Sequence, residues 1–357
     1  MFRLITHTIF YATLTLFGVL TVIFFLFNVL PGDPARMMLG QNEDSAQIQI
    51  IKRKYGFDKP LTTQYLYYLN DVSPISFHSD NSNDYTYFSE RKYRGLVLFS
   101  VFKFSIALKQ PYLRMSFTKP GKPVVEIIKE TMPNTVILAL TSIIIAIILG
   151  LSLGIVSALC FGSWIDKIIQ LISTFGMSLP SFFSAILFAW IFGFLLHEFT
   201  GLKMTGSLYE VDDFGEYSYR AWKNLVLPAF VLGIRPIAVF SQLMRNALLE
   251  VLNQDYIRTA KSKGLSAFKI IYKHALKNAL NPVITAVSGW FASMLAGAVF
   301  VEYIFGWNGL GKEIVNALNT LDLPVIMGAV LTVALTFILI NIIVDIIYAQ
   351  LDPKIKF

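Results

Sequence analysis

The chain has 357 residues, of which 55% are hydrophobic and 15% are charged, and its mean hydropathy is +0.59. A soluble domain carries about 25% charged residues to cover its surface, so this composition argues against a water-soluble enzyme. The net charge of +7 also fits a membrane protein, because lysine and arginine accumulate beside membrane spans on the cytosolic side. We therefore predict that the surface contacts membrane lipid and no nucleic acid.

Six apolar stretches are long enough to cross a bilayer, since a helix needs about 20 apolar residues to span about 30 Å. They are residues 9–30, 136–161, 168–196, 225–244, 282–301 and 323–347. We predict an all-α membrane protein with six transmembrane helices. The first stretch is too long for the core of a signal peptide and should remain as an anchor. The lone Cys160 excludes an intrachain disulfide, and the scattered histidines give no metal site.

A long segment, residues 31–130, separates the first two stretches. Its Asp/Asn/Ser-rich part at 78–84 is typical of a solvated loop, and the apolar part at 96–108 is too short to span and predicts a strand or a surface helix. The segment contains no recognisable catalytic or phosphate-binding motif, so we predict no catalytic residue and interpret it as a lid over the bundle.

The distribution of lysine and arginine predicts the orientation. With six spans both termini lie on one side, and that side carries eleven of these residues in its short loops against four on the other. We expect cytosolic termini and a cytosolic loop at 245–281. The resulting division is an N-terminal helix (1–30), an extracytoplasmic segment (31–130), a five-helix core (131–351) and a cytosolic tail (352–357).

Two polar residues inside the stretches are candidates for a translocation pathway. Arg235 lies near the middle of the fourth stretch and should face the bundle interior or a cavity, where it could attract a peptide carboxylate. The alternatives are a structural ion pair and a helix tilt that lifts Arg235 to the interface. Asn341 and Asp345 share a helix face near the end of the sixth stretch, where hydrogen bonding between helices is favoured over ion coupling.

The cytosolic loop has the pattern of two short helices. Helix formers run up to Lys263, Gly264 stands where a left-handed residue would end the helix, and Ser266 could cap a second one. The second helix shows one apolar face at residues 268, 271, 272, 275, 276 and 279 beside a lysine stripe. Such a helix could dock on a protein, lie on anionic lipid or close the bundle.

A glycine-rich stretch follows the fifth span. Residues 306–312 have the spacing G-x-x-x-x-G-K of a phosphate-binding loop, but Glu313 stands where Ser or Thr is needed and no strand precedes it. We interpret the stretch as a hairpin in which Gly306, Gly309 and Gly311 shape an outer gate.

Five motifs in order give the chain a family resemblance. They are PGDP at 31–34, SLPSFF at 178–183, DYIRTAKSKGLS at 255–266, VEYIFGWNGLGK at 301–312 and NIIVDIIYAQLDPKI at 341–355. Together they resemble the type I permease subunits of binding-protein-dependent ABC importers, in the dipeptide/oligopeptide branch. The resemblance covers about residues 1–70 and 111–357, and it departs at 71–110, which we interpret as a small extracytoplasmic insertion between the first two helices.

The resemblance implies a mechanism and a set of partners. In similar proteins the cytosolic loop is a coupling helix held in a groove of an ATPase subunit. It implies this role for the following residues: Asp255, Tyr256, Arg258, Thr259, Ala260, Lys263, Gly264, Leu265 and Ser266. The expected partners are a second similar permease, two ATP-binding subunits that hold ATP and Mg²⁺, and an extracytoplasmic binding protein.

The implied setting is the bacterial cytoplasmic (inner) membrane, and the chain itself would bind no cofactor and catalyse no reaction. Dipeptides, oligopeptides and metal chelates remain open as cargo. Two other classes compete with this interpretation. They are a secondary transporter driven by an ion gradient and an intramembrane enzyme.

Overall fold

The computed structural model describes residues 2–29, 35–36, 45–82, 84–90, 92–101, 104–212 and 214–351. Two compact units divide the chain. The first unit comprises residues 1–130 and 313–335, and the second comprises residues 131–312 and 336–357. The PGDP motif, the tail at 352–357 and the side chain of Asp345 lie outside the described part, so the predictions made for them stay predictions.

The first unit begins with a long apolar helix and continues into a segment of mixed structure. Its complete elements are α1 (Phe2–Val29), α2 (Ser45–Tyr55), α3 (Leu61–Val72), β1 (Ile75–Ser79), β2 (Gly95–Val101) and β3 (Phe104–Lys109). The strands form one antiparallel sheet in the order β1-β3-β2, with a register shift in β2 between Val97 and Phe99.

The sheet corrects the prediction of an all-α protein. The stretch at 96–108 is rich in aromatic and aliphatic residues and too short to span, and it pairs with itself as β2 and β3. The physical reason is that a short apolar run cannot satisfy its backbone groups in a bilayer, whereas a hairpin does so by pairing. The protein is therefore mostly helical, with a small sheet in the segment at 71–110.

Two small hydrophobic clusters hold the first unit together. One joins the C-terminal part of α1 to α3 through Phe24 and Tyr68, whose rings stack with centroids 5.7 Å apart. The other gathers Val124, Ile127 and Ile326. The hydroxyls of Thr21 and Tyr65 are 2.6 Å apart and add a polar contact between α1 and α3. These contacts tie the first helix to the segment that follows it.

The second unit is helical apart from a short hairpin. Its elements, including three that also enter the first unit, are α4 (Val124–Leu159), α5 (Trp164–Ser178), α6 (Ser181–Phe188) with a π-helical extension (Ala189–Leu195), α7 (His197–Thr200), β4 (Tyr209–Val211), β5 (Ser218–Arg220), α8 (Lys223–Leu252), α9 (Asp255–Ser262), α10 (Ala267–Lys269), a π-helical segment (Ile270–Ala275), α11 (Leu276–Ala279), α12 (Asn281–Phe305), α13 (Leu310–Asn319) and α14 (Leu323–Leu351).

Candidate membrane spans in the described part of the chain overlap the predicted apolar stretches, and their number is four to six. Among the described residues four helices are long and apolar enough to span alone, and two bent pairs bring the number to six if each pair is one span. The pair formed by α5 and α6 turns by 109°. That break differs from the continuous span predicted at 168–196. It falls at Leu179, which has an extended backbone because Pro180 follows it.

Close helix packing in the second unit depends on two glycines of α4. A Cβ on Gly150 would lie 2.7 Å from Cβ of Phe240, and one on Gly154 would lie 2.6 Å from the carbonyl oxygen of Ser241. These glycines permit the close approach of a helix, and the neighbouring helix is α8. Many residues of α8 are buried in this unit. The helix therefore leads from the core into the loop that follows it.

Candidate functional site

The segment that follows α8, residues 253–280, contains the residues with an implied coupling role, and we call it the coupling loop for that reason. Its first helix, α9, ends at Ser262, and Gly264 has φ +75°. This left-handed conformation disfavours any residue with a Cβ, so the predicted helix end at Gly264 is confirmed. The amide of Gly264 donates to the carbonyl of Lys261 at 3.0 Å, which closes the turn.

One side of the coupling loop is anchored in the core of the second unit. Ile257, Ala260, Ile270, Ala275 and Ala279 are buried there. Ala260 belongs to the set with an implied coupling role, and its side chain packs inward against the chain itself. It is therefore part of the anchor and not of the exposed surface.

The other side of the coupling loop is exposed. Most of the residues assigned to ATPase coupling share this exposure: Asp255, Tyr256, Arg258, Thr259, Lys263, Gly264 and Ser266, with Leu265 half-buried. Arg258 and Asp255 approach to 3.6 Å, which is a weak exposed pair. Tyr256 is held through its hydroxyl, which accepts from the side-chain amide of Asn278 at 2.8 Å. The loop thus presents polar and charged groups on a fixed backbone.

The second half of the coupling loop differs from the prediction of one apolar face. Residues 270–275 form a π-helix, in which the backbone bonds run from i to i+5, so the residues that share a face are shifted. Ile270 is buried, whereas Phe268 and Tyr272 are 78% and 71% exposed. Their rings are parallel within 1°, with centroids 6.1 Å apart. Ser266 occupies the cap position, but its side chain makes no capping bond.

An ion pair lies at the base of the coupling loop, at the end of α8. Arg245 donates from Nε and Nη2 to the two carboxylate oxygens of Asp166 at 2.7 and 2.8 Å. The hydroxyl of Ser157 donates to the same carboxylate at 2.5 Å, and the amide of Gly162 does so at 3.0 Å. The turn between α4 and α5 is therefore fastened to α8 seven residues before that helix ends.

The glycine-rich stretch after α12 packs around a buried glutamate. Glu302 is fully buried, and its Oε2 accepts from the amides of Gly311 at 2.7 Å and Lys312 at 3.2 Å. A Cβ on Gly309 would collide with this carboxylate, and one on Gly311 would lie 2.5 Å from Cα of Val299. Gly306 has φ +67°. The amides that a phosphate would need are thus already bonded to a side chain of the same chain.

Further hydrogen bonds fix the same stretch, residues 302–312, which we name the outer corner after the outer gate predicted there. The indole of Trp307 is buried and donates to the carbonyl of Asn134 at 3.0 Å. The side chain of Asn134 donates back to the carbonyl of Asn308 at 2.8 Å, and the amide of Leu310 donates to the hydroxyl of Thr135 at 2.8 Å. The corner is a packed turn that leads into α13, not the hairpin that was predicted.

Comparison with known proteins identifies the family. A family model described as binding-protein-dependent transport system inner membrane component matches residues 150–357. The model for the N-terminal part of such membrane components matches residues 1–83. The chain belongs to this family. It is an inner-membrane transport component of the permease type, with several apolar helices.

Curated relatives of this permease match it over nearly the whole chain. It is 32% identical to the dipeptide transport system permease protein DppB of Alkalihalophilus pseudofirmus, over 96% of both chains. It is 30% identical to the glutathione transport system permease protein GsiC of Escherichia coli K12, over 96% of this chain and 95% of the relative. Among solved structures, the inward-facing MetNI methionine ABC transporter has a TM-score of 0.49 at 16% identity, covering 64% of this chain and 97% of that one.

Both candidate pathway residues of the permease lie in its second unit, but they do not share a cavity. Arg235 is exposed on α8 and lines a cavity of about 60 Å³ with Ser181, Trp290 and Ser293, among others. That volume holds about two water molecules and not a peptide. Asn341 is half-buried on α14 and is not among the residues that line this cavity.

The sequence missed two structural groups of this permease. The sequence assigned no role to Asp166, and it used Arg245 only among the eleven basic residues that predict the orientation. The two residues are 79 positions apart, so no local sequence pattern indicates that they pair. Glu302 was quoted only inside a motif. An available signal was that an acidic residue at the end of an apolar span needs a partner.

Proposed function

We propose that this permease is one of two membrane subunits of an ATP-driven importer of short peptides in the bacterial cytoplasmic membrane. Six spans with both termini in the cytosol and a type I permease fold would place the coupling loop inside the cell and the segment at 31–130 outside. The names of the curated relatives, which refer to dipeptides and glutathione, support peptide cargo. ATP and Mg²⁺ would be bound by two partner ATPases.

One observation carries this proposal, the two-sided coupling loop. Its inner face is buried in the second unit, and its outer face presents charged groups and the stacked rings of Phe268 and Tyr272. Exposed aromatic pairs on a fixed backbone are typical of sites that a partner protein covers. A partner ATPase bound at this face would supply the work of transport.

The contacts of the coupling loop support a way in which movement of the ATPases would reach the membrane helices. When two ATPases close around ATP, the loop would move with them, and α8 would move because it leads directly into α9. The bidentate Asp166–Arg245 pair would carry the same displacement to the turn between α4 and α5. The helices would then exchange between inward-open and outward-open arrangements.

The remaining site residues have roles in this scheme that are also proposals. Gly306, Gly309 and Gly311 hold the outer corner beside an extracytoplasmic gate. Arg235 would face the pathway once the helices separate, and Asn341 would line it from α14. An extracytoplasmic binding protein would deliver cargo to the segment at 31–130, where residues 71–110 form the insertion.

Reconstituted uptake tests the proposal. The permease, a second permease and two ATPases are placed in proteoliposomes with ATP inside, and the binding protein and a radiolabelled dipeptide are added outside. We expect accumulation that needs hydrolysable ATP and that persists with an uncoupler. Accumulation driven by a proton or sodium gradient without ATP would instead support the competing class of secondary transporter.

A further inference from the structure

A pocket in the first unit lies outside every site described above. It has a volume of about 370 Å³ and lies where the chain before β2, the chain after β3 and the start of α4 meet. The chemically active side chains that line it are Lys92, Arg94, Glu126 and Lys129, with Tyr112 and Met115 supplying ring and thioether surface. A cavity of this size accommodates a small organic ligand.

The charged groups of the pocket favour an anion. Three cations, Lys92, Arg94 and Lys129, line it against one carboxylate, that of Glu126. The start of α4, a helix of 36 residues, also borders the pocket through Val125, together with Pro123 just before the helix. The partial positive charge of a helix N-terminus adds to that of the side chains.

A buried charge cluster behind the pocket has the same excess of positive charge. Asp71 is fully buried, and its carboxylate accepts from Arg114 at 2.9 Å and from the hydroxyls of Tyr85 and Tyr93 at 2.7 and 3.0 Å. Lys109 donates to the backbone carbonyl of Asp71.

Lys92 connects this cluster to the pocket. Its ammonium donates to the carbonyl of Tyr85 at 2.7 Å and lies 3.6 Å from the centroid of that ring. Of the three cations, Arg114 bonds to the carboxylate of Asp71. Lys109 and Lys92 donate to backbone carbonyls instead, so one carboxylate balances three nearby positive charges. Burial lowers the pKa of Lys92 to about 8, with Arg114 and Lys109 acting in the same direction and Asp71 against it. A partly desolvated cation of this kind gains from an anion that binds beside it.

We propose that this pocket binds the carboxylate of a small, partly apolar molecule, and specifically the C-terminal carboxylate of a short peptide. Arg94 and Lys129 would receive the carboxylate at the rim, Lys92 would contribute from below, and the surfaces of Tyr112 and Met115 would contact the apolar side chain. The choice of a peptide rests on the proposed function; the choice of a carboxylate rests on the pocket itself.

Binding to the assembled transporter in lipid nanodiscs, without added binding protein, tests the proposal. The probes are alanyl-phenylalanine, its C-terminal amide and inorganic phosphate, measured by titration calorimetry. We expect the free acid to bind about tenfold or more tightly than the amide, since the amide loses its charge-assisted bonds. Equal binding of acid and amide would overturn the proposal, and so would phosphate binding as tight as that of the dipeptide.

Variants locate the binding to this pocket. Arg94→Gln and Lys129→Gln change exposed residues, so the fold should survive, and each should weaken dipeptide binding several-fold. Lys59→Gln is the matched control, an exposed lysine of the same segment beside Asp58 and away from the pocket. Unchanged affinity in both pocket variants would overturn the proposal. Lack of ATP-driven peptide uptake by the wild-type assembly would count against the proposed function instead, so the two failures are distinguishable.

Discussion

The coupling loop and the outer corner of this permease both connect helices, but they differ in where their side chains find partners. In the corner the carboxylate of Glu302, the indole of Trp307 and the amide of Leu310 bond within the chain. In the loop one face is equally buried, whereas the other leaves Arg258 and Phe268 exposed. The corner therefore directs most of its polar groups into its own chain, and the loop leaves one face open, which in the proposed function is the surface for a partner.

The largest effect on folding is expected at the ion pair beneath the loop. Asp166→Ala removes the carboxylate that accepts two bonds from Arg245, so we expect a loss of about 3–5 kcal/mol in the free energy of unfolding. The measurement is unfolding in detergent followed by fluorescence. Asp255→Ala is the control, because its exposed pair with Arg258 contributes little. Equal losses in the two variants would remove the distinction between anchor and surface.

Neighbouring positions of α9 sharpen the comparison further. Ala260 is buried and Thr259 is exposed, so a carboxylate introduced at the first position lies in the core and one introduced at the second lies in water. Ala260→Asp should cost about 3 kcal/mol of stability, because the charge is removed from water without a partner. Thr259→Asp should change stability by less than about 0.5 kcal/mol. If Ala260→Asp folded like wild type and lost only uptake, Ala260 would belong to the partner's surface after all.

The next prediction compares a glycine of the outer corner, Gly311, with Gly289 of α12. Gly311→Ala places a Cβ against the backbone of Val299, which cannot shift cheaply, so we expect a loss of about 2 kcal/mol. Gly289→Ala, in the preceding helix α12, has open space around the new atom and should leave stability unchanged or slightly higher. Thermal unfolding of both variants in nanodiscs measures the difference. A stable Gly311→Ala would show that the corner is loosely packed.

The smallest effect on folding is expected at the exposed rings. Phe268→Ala combined with Tyr272→Ala removes surface that is already in water, so stability should stay within about 0.5 kcal/mol. Peptide uptake per ATP hydrolysed should nevertheless fall by about tenfold, because rings of this kind contribute most at a protein interface. The control is Phe214→Ala, another exposed ring, which lies beside the β4–β5 hairpin. Uptake unchanged in the double variant would contradict a docking role.

The parts of this fold that the sequence predicted are those set by local chemistry. Apolar length predicted the positions of the spans, and a glycine between two helical patterns predicted the turn at Gly264. Residue size did not tell on which face of α9 Ala260 lies, and the structure places its side chain in the core of the second unit.

The remaining features depend on distant partners. Three contacts form only in the folded chain. They are the pairing of β2 with β3, the bond from Arg245 to Asp166 and the packing of the Glu302 carboxylate against Gly309. The π-helix at 270–275 moved Phe268 and Tyr272 into solvent, and an ideal helical period cannot predict such a shift. The two-sided character of the loop is therefore a property of the structure.

Photo-crosslinking from the coupling loop tests the central claim most directly. In a Cys160→Ala background, Ser262→Cys and Glu216→Cys each carry a benzophenone on an exposed residue, the first on α9 and the second near the β4–β5 hairpin. We predict that Ser262→Cys captures an ATP-binding subunit, with a yield that changes when ATP is added, and that Glu216→Cys does not. Capture from neither position, or equal capture from both in a transport-competent assembly, would contradict the account.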